Sequence, residues 1–276
     1  MISKDFTPSP LLYEFISSYR LRHFVFNGLI KPSFKPFPPR PEQCLIFYPR
    51  GKEIAEYLSS GEKIERPRSV ISGQFTERIN RYVTTPEFLM IAVDLKPGAL
   101  HRLTGIPFSE FTNKCMDAED IFPAEMRMVN ERLANAKDYA EMISIIETFC
   151  LSLTKRSKKE ILAVDHLLQS LVQEPAMQSL DSLSKKAYLS ARQLERKFDE
   201  RIGVSPKTFL KITRFNQSYW MRLKQPKLDW LSIAVSCGYS DYQHLAKEYK
   251  AFANATPNSF FDEETNAPGR ALGLTK

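Results

Sequence analysis

Two short stretches of this chain place arginine, glutamine and lysine on one face of a helix, where they can form paired hydrogen bonds with flat polar ring edges. In the first, Ser190-Ala191-Arg192-Gln193-Leu194-Glu195-Arg196-Lys197-Phe198, the apolar residues Leu194 and Phe198 stand four apart. At about 100° per residue these two and Ile202 turn inward, Arg192 and Arg196 take the opposite side, and Gln193 and Glu195 flank them. In the second stretch, Leu245 inward sends Gln243 and Lys247 outward, with Tyr242 and His244 beside them. An arginine fork matches guanine O6 and N7, and a glutamine amide matches adenine. Lys185, Lys186, Lys207 and Lys250 are point charges suited to phosphate, which positions a duplex without reading its sequence. Helix openings at Ser190, at Ser205-Pro206-Lys207-Thr208 and at Thr256-Pro257-Asn258-Ser259 offer free N–H groups to the same phosphates. The competing reading, polar residues that merely keep a helix soluble, fits many helices and is weighed against the frame that holds these two.

That frame is an internal repeat. Ser190, Leu194, Phe198 and Pro206 recur fifty-one positions later as Asp241, Leu245, Tyr249 and Pro257, namely a cap, a buried leucine, a buried ring and a proline after a turn. Each copy reads as a short helix, a tight turn and a second helix. In the first, Leu180, Leu183 and Ala187 form the short helix and Ser190 caps the next. In the second, Leu231, Ala234 and Val235 precede Cys237-Gly238-Tyr239, where Gly238 supplies a positive φ, and Asp241 or Ser240 caps. Gly203 ends the first outward helix, and Asn254, the residue best tolerated in its place, ends the second. Pro206 opens a long helix carrying Phe209, Leu210, Ile212, Tyr219 and Trp220, which holds the two modules at a fixed separation. Modules about 34 Å apart can enter successive major grooves on one face of DNA.

Ser190-x-Arg192-x-Leu194-x-Arg196-x-Phe198, Gly203-Val204-Ser205-Pro206, Ala234-x-x-Cys237-Gly238-Tyr239-Ser240-Asp241 and Thr256-Pro257-x-x-Phe260 together resemble the DNA-binding domain of AraC/XylS-type transcription regulators over about one hundred residues. The resemblance implies a sequence-specific regulator with double-stranded DNA as partner, and with a small-molecule effector, a homodimer partner and RNA polymerase as further expected partners. Ser184 stands where that family usually has a small apolar residue, and Tyr242-Gln243 replaces its more usual Gln-Ser. The base preference of the second helix is therefore not carried over.

Charge is unevenly distributed. Residues 1–154 hold 19 Lys+Arg and 19 Asp+Glu, whereas residues 155–262 hold 18 and 11, so 18 − 11 = +7 lies in the repeat region. A localised basic excess is the electrostatic footprint of phosphate neutralisation. Cys44, Cys115, Cys150 and Cys237 have no metal-ligand spacing, which points to thiols in a reducing cytoplasm. No apolar run is long enough for a membrane span, and Met1-Ile2-Ser3-Lys4-Asp5-Phe6 does not begin like a signal peptide. No phosphate-cradling, zinc-protease or nucleophile-elbow motif occurs, and His23 and His101 are too far apart in sequence to suggest a cupin metal centre. The expectation is a cytoplasmic protein without enzymatic activity, metal or cofactor. A helical-repeat interaction protein or small-ligand binder without DNA function is the alternative.

The amino-terminal half is expected to be a mostly antiparallel sheet or partly closed barrel. Its strands are read in Cys44-Leu45-Ile46-Phe47-Tyr48 and in residues 20–26, 69–72, 79–84 and 88–95. Residues 7–18 suggest a short helix, residues 31–41 with their prolines an extended loop, and residues 124–134 and 139–153 a helical pair. The order of strands then helices, with Asp94-Leu95-Lys96-Pro97-Gly98-Ala99 and Gly105-Ile106-Pro107 at the junction, looks like the degenerate cupin-like domain of many AraC-type regulators. The fold class expected is α+β, a cupin-like β domain with helices followed by an all-α domain of two helix-turn-helix units joined by a long helix. The expected boundaries are residues 1–154, 155–262 and a flexible tail at 263–276, with the basic segment 155–159 as linker. Phe34, Phe37, Phe47 and Tyr48, beside the proline-rich loop and a central strand, are the candidate wall of an effector pocket. Core packing is the alternative role for the same rings.

Overall fold

Strands come first in the chain because β-branched and aromatic residues are concentrated there. The structure, a computed structural model, describes residues 1–26, 34–157, 160–173 and 178–266. In chain order the strands are β1 (Ile2–Phe6), β2 (Ile16–Val25), β3 (Phe34–Phe37), β4 (Gln43–Arg50), β5 (Glu53–Tyr57), β6 (Glu62–Glu65), β7 (Ser69–Ser72), β8 (Ile79–Val83) and β9 (Glu87–Leu95). Helix α1 (Ala99–Thr104) and a 3-10 turn at Phe108–Phe111 follow, then β10 (Cys115–Asp117), α2 (Ala118–Ile121), α3 (Pro123–Ala134) and α4 (Tyr139–Arg156). The strands form two antiparallel sheets, one in the order β1-β2-β9-β4-β7-β10 and one in the order β3-β8-β5-β6.

The alternation of side chains along a strand decides what each face of the larger sheet does. Tyr19, Leu21, Leu45, Phe47, Ile91 and Val93 point to α3 and α4 and form one core with Met126, Leu133, Ile146 and Phe149. Their neighbours Arg20, Cys44, Ile46, Tyr48, Met90 and Ala92 line the space towards the smaller sheet. One face is thus an apolar core and the other carries charge.

Three expectations are corrected here. Residues 7–18 form only a 3-10 turn at Pro10–Leu12 before β2 begins, because the β-branched and aromatic residues from Ile16 onward pair with β9. Within residues 31–41, the segment Phe34–Phe37 is a strand rather than a loop. It lies at the edge of the smaller sheet, the one position where the missing N–H of Pro36 costs little. Residues 31–33 lie outside the described residues. The third correction is at the carboxy terminus, where α11 (Pro257–Asn266) continues through residues expected to be tail, and Glu264 is buried with its carboxylate accepting from Tyr219. Residues 267–276 of the expected tail lie outside the described residues, as do residues 158 and 159 of the expected linker.

The remaining helices are α5 (Ala163–Gln173), α6 (Leu180–Ala187), α7 (Ala191–Ile202), α8 (Pro206–Lys224), α9 (Trp230–Ser236) and α10 (Tyr242–Ala253). They form two small cores. Val164, Leu168, Leu183, Leu194, Phe198 and Phe209 make the first, and Ile212, Phe215, Tyr219, Ile233, Leu245, Tyr249 and Phe260 the second. Helix α8 contributes Phe209 to one core and Ile212, Phe215 and Tyr219 to the other, so a rod about 28 Å long ties the modules together.

Candidate nucleic-acid interface

Helix α7 begins where it does because Ser190 Oγ accepts from Gln193 N at 3.3 Å and Gln193 Oε1 accepts from Ser190 N at 2.9 Å. This reciprocal cap satisfies two N–H groups that the first helical turn would otherwise leave free. The helix ends at Gly203 with φ 84°, and α10 ends in the same left-handed way at Asn254 with φ 53°. Asp241 caps α10 by accepting from His244 N at 2.8 Å, and that backbone bond, with Ser240 Oγ, holds its carboxyl below the usual aspartate range. Capping and left-handed termination, both read from the repeat, therefore set both helices. The turns differ by one residue. In the first copy Tyr188 takes the left-handed conformation two residues before the cap, and in the second Gly238 does so three before.

On α7, Leu194, Phe198 and Ile202 are fully buried while Arg192, Gln193, Glu195 and Arg196 are exposed. Both arginines and Glu195 reach solvent, but Gln193 has its carbonyl oxygen engaged in the cap, which leaves its amide nitrogen as the remaining hydrogen-bonding group of that side chain. On α10, Leu245 is buried and Gln243 and Lys247 are exposed. Tyr242 is half-buried. His244 turns back onto its own module, its ring edge-on to Tyr239 at 5.2 Å, Nδ1 3.3 Å from Ser240 Oγ and Nε2 3.4 Å from Arg214. Arg214 in turn pairs with Glu248, whose other oxygen accepts from the buried Tyr239 hydroxyl. Burial, Glu248 and the hydrogen bond to it push the Tyr239 phenol well above its ordinary range, so it stays a donor. This network, invisible in the sequence because Arg214 and Glu248 are far apart in the chain, fixes the orientation of α10 against α8.

Of the residues expected at phosphates, Lys185, Lys207 and Lys250 are exposed, Lys250 Nζ lying 3.5 Å from Asn254 O. Lys186 Nζ donates to Gln178 at 2.8 Å. Thr208 receives the Ser205 cap at its backbone, and Asn258 accepts from Trp230 Nε1 at 2.6 Å through its side chain. Ser190 is exposed at the opening of α7. Tyr188, 89% exposed at the tip of the first turn, is not among the residues expected to contact DNA. Its signal there is an aromatic ring that breaks the apolar period just before a cap.

The carboxy-terminal end of α7 rests on the amino-terminal half. Gln43 Nε2 donates to Arg201 O at 2.9 Å and Thr112 Oγ1 to Gly203 O at 2.6 Å. Arg201 forms a buried pair with Asp165 at 2.7 Å, and Glu200 lies 3.0 Å from His101 Nε2. At the other module Arg78 donates to Ala253 O at 3.2 Å and pairs with Glu263 at 2.6 Å.

Of the candidate pocket residues, Phe37 and Tyr48 line a cavity of about 50 Å³ between the sheets. Phe47 faces the helical core instead, since adjacent strand residues point to opposite faces. Phe34 packs on Tyr82 at 5.8 Å. A wider cleft of about 360 Å³ runs between the two halves past Arg40, Glu42, Lys96, Gln169 and Trp220. Glu42, Cys44 and Asp94 bring donor atoms within 4.8 Å of one another, as a metal site would. The Arg20 guanidinium already stands among them, 2.5 Å from Asp94, 3.3 Å from Glu42 and 3.6 Å from Cys44 Sγ, in the place a cation would take.

Residues 183–263 match the model described as Helix-turn-helix domain, and residues 4–117 match a Domain of unknown function (DUF6597). The carboxy-terminal part of the chain is thus a helix-turn-helix domain. Among curated proteins, the Msm operon regulatory protein of Streptococcus mutans is 28% identical over 140 residues, half of each chain. The HTH-type transcriptional regulator ArgR of Pseudomonas aeruginosa is 30% identical over 109 residues, 40% of this chain and 32% of that protein. The chain spans half or less of the length of these relatives. Among solved structures, an apo form of ToxT from Vibrio cholerae covers 90% of this chain and 98% of its own, with a TM-score of 0.50 at 10% identity. ToxT bound to (E)-4-(8-methylnaphthalen-1-yl)but-3-enoic acid also matches, with a TM-score of 0.50 at 11% identity over 89% of this chain and 99% of that one. This likeness shows a shared fold, antiparallel β followed by helices.

Proposed function

We propose that the chain is a sequence-specific DNA-binding transcription regulator whose amino-terminal domain responds to a small-molecule effector. The observation that carries the reading is the pair of capped helices α7 and α10, locked to one rod and exposing Arg192 and Arg196 on one, Gln243 and Lys247 on the other. Arg192 and Arg196 are the base-reading residues of the first module, with Glu195 and the Gln193 amide beside them. Lys185 and Lys207 neutralise phosphates. The similarity to proteins named as transcriptional regulators supports this reading, and the excess of +7 in residues 155–262 supplies the attraction to a polyanion. None of the matched curated proteins is named as an enzyme. For effector response, the supporting observation is the contact between the halves: Gln43, Thr112 and Arg78 hold the carboxy-terminal ends of α7 and α10, so a change in the sheets is felt by both.

A mobility-shift assay with genomic fragments upstream of the gene itself and of its neighbours tests the reading. Retardation of one fragment, competed by itself and not by random DNA, is expected. Equal retardation of all fragments, or none, would leave the helical-repeat alternative.

A further inference from the structure

Tyr188 holds a bulky ring in solvent at a point of the first module where the backbone suits glycine. Its φ is 55° and its ψ 39°, the left-handed conformation that strains most residues with a side chain. The turn depends on that conformation. With it, Tyr188 N donates to Lys185 O at 3.2 Å and Leu189 N reaches back to Ser184 O at 3.0 Å, which closes α6, brings Leu189 against the first helical core and leaves Ser190 to cap α7. The second module closes in the same way. There Tyr239 N donates to Ala234 O at 2.9 Å, and the left-handed residue is Gly238 with φ 77°. In this closure Tyr239 corresponds to Leu189, and Tyr188 corresponds to a glycine. The ring of Tyr188 is thus an addition to a turn that glycine closes in the other module. It is 89% exposed, and its side chain makes no hydrogen bond or ring contact among the described residues. Strain held at an exposed side chain is the kind that persists at functional sites.

The surroundings of the ring select what it meets. From Ser184 to Arg192 the charged residues are Lys185, Lys186 and Arg192, all exposed and all cationic. Lysine is depleted at protein–protein interfaces, so this neighbourhood favours a polyanion over a protein surface. A helix that enters a major groove with its amino-terminal residues at the base edges brings the residues just before it to the rim of the groove, where the sugar-phosphate backbone runs. A tyrosine hydroxyl is a neutral donor that contacts phosphate, and its ring packs on a sugar. We propose that Tyr188 is a backbone contact of the first module. Its hydroxyl donates to a phosphate oxygen at the rim of the groove that α7 enters, which fixes the register of the helix without reading a base. The contact rests on the reading of α7 as a DNA-reading helix.

The test uses the full chain and two duplexes, the upstream fragment that it retards most and a random duplex of equal length, titrated by anisotropy at several salt concentrations. Tyr188→Phe, which keeps the ring and loses the hydroxyl, is expected to weaken binding to both duplexes by the same factor, on the order of tenfold. The slope of log affinity against log salt should stay that of the parent, because a neutral donor displaces no counterion, whereas Lys185→Ala should reduce it by about one. Tyr188→Gly gives the turn the residue used by the second module. It should melt at the temperature of the parent or above, and bind both duplexes no better than Tyr188→Phe. Three results overturn the contact. Unchanged affinity of Tyr188→Phe for DNA that the parent binds would leave the ring to a protein partner, a loss confined to the upstream fragment would make Tyr188 a base contact, and a lower melting temperature of Tyr188→Gly would make the ring part of the fold. A parent that binds neither duplex would remove the reading of α7 itself, and the contact with it.

Discussion

Arg196 stands on the solvent face of α7, opposite the fully buried Leu194, and is exposed. Arg196→Ala is therefore expected to leave the melting temperature unchanged and to lower specific affinity by about 1 to 3 kcal/mol, with relaxed preference at one base pair. Competition binding against single-base operator variants checks this, and an equal loss on specific and random DNA would make Arg196 a phosphate contact. Ser184 gives the opposite case. It is buried, and its Oγ has no hydrogen-bond partner among the described residues, a cost of about 1 to 3 kcal/mol for a hydroxyl taken from water. Ser184→Ala should raise stability by about 1 kcal/mol in urea denaturation without changing DNA affinity. The inward and outward sides of both helices were legible from spacing alone. The diversion of Gln193 into a cap and of His244 into the Tyr239 and Arg214 network was not, because hydrogen-bond geometry, not helical period, decides where a polar side chain ends.

The repeat in the sequence sets most of the helical elements, and Gly203 shows how much one residue can carry. Its φ of 84° disfavours any residue with a side chain, and a Cβ there would come within 2.5 Å of both Phe108 O and Thr112 Oγ1. Gly203→Ala is expected to cost about 2 kcal/mol or more, combining left-handed strain with a clash at the domain contact. Arg201 ends the same helix, 3% exposed and paired with Asp165 at 1%. Arg201→Met leaves that carboxylate buried with only the Leu162 N–H as partner among the described residues and should cost about 3 to 5 kcal/mol, whereas replacing both residues with apolar ones should recover much of it. Thermal melts of the single and double variants separate the two. Helices with caps, terminators and apolar stripes were readable, but β1, β5, β6 and β10 were not. Glu62–Glu65 is exposed along its whole length at a sheet edge and carries no alternating pattern, so only pairing with β5 reveals it. Likewise Phe47 and Tyr48 look alike in sequence, and only the pleat assigns one to the helical core and the other to the cavity.

In the whole molecule, a sheet domain meets the two exposed helices through contacts at their carboxy-terminal ends. Both cores of the helical half are closed by residues of that half. A fragment from about residue 155 to 266 should therefore fold by itself and bind DNA in a salt-sensitive way, as circular dichroism and anisotropy would show. Joint reading of sequence by the two exposed helices is tested by selection of sites from random duplex DNA by the full chain. The enriched site is then titrated against a scrambled duplex between 50 and 200 mM salt. Two conserved elements about one helical turn apart, roughly 10 base pairs centre to centre, are expected. Affinity should be about a thousandfold or more above scrambled DNA, falling steeply with salt on both. Failure to enrich any site, or equal affinity for enriched and scrambled duplexes, would contradict joint reading.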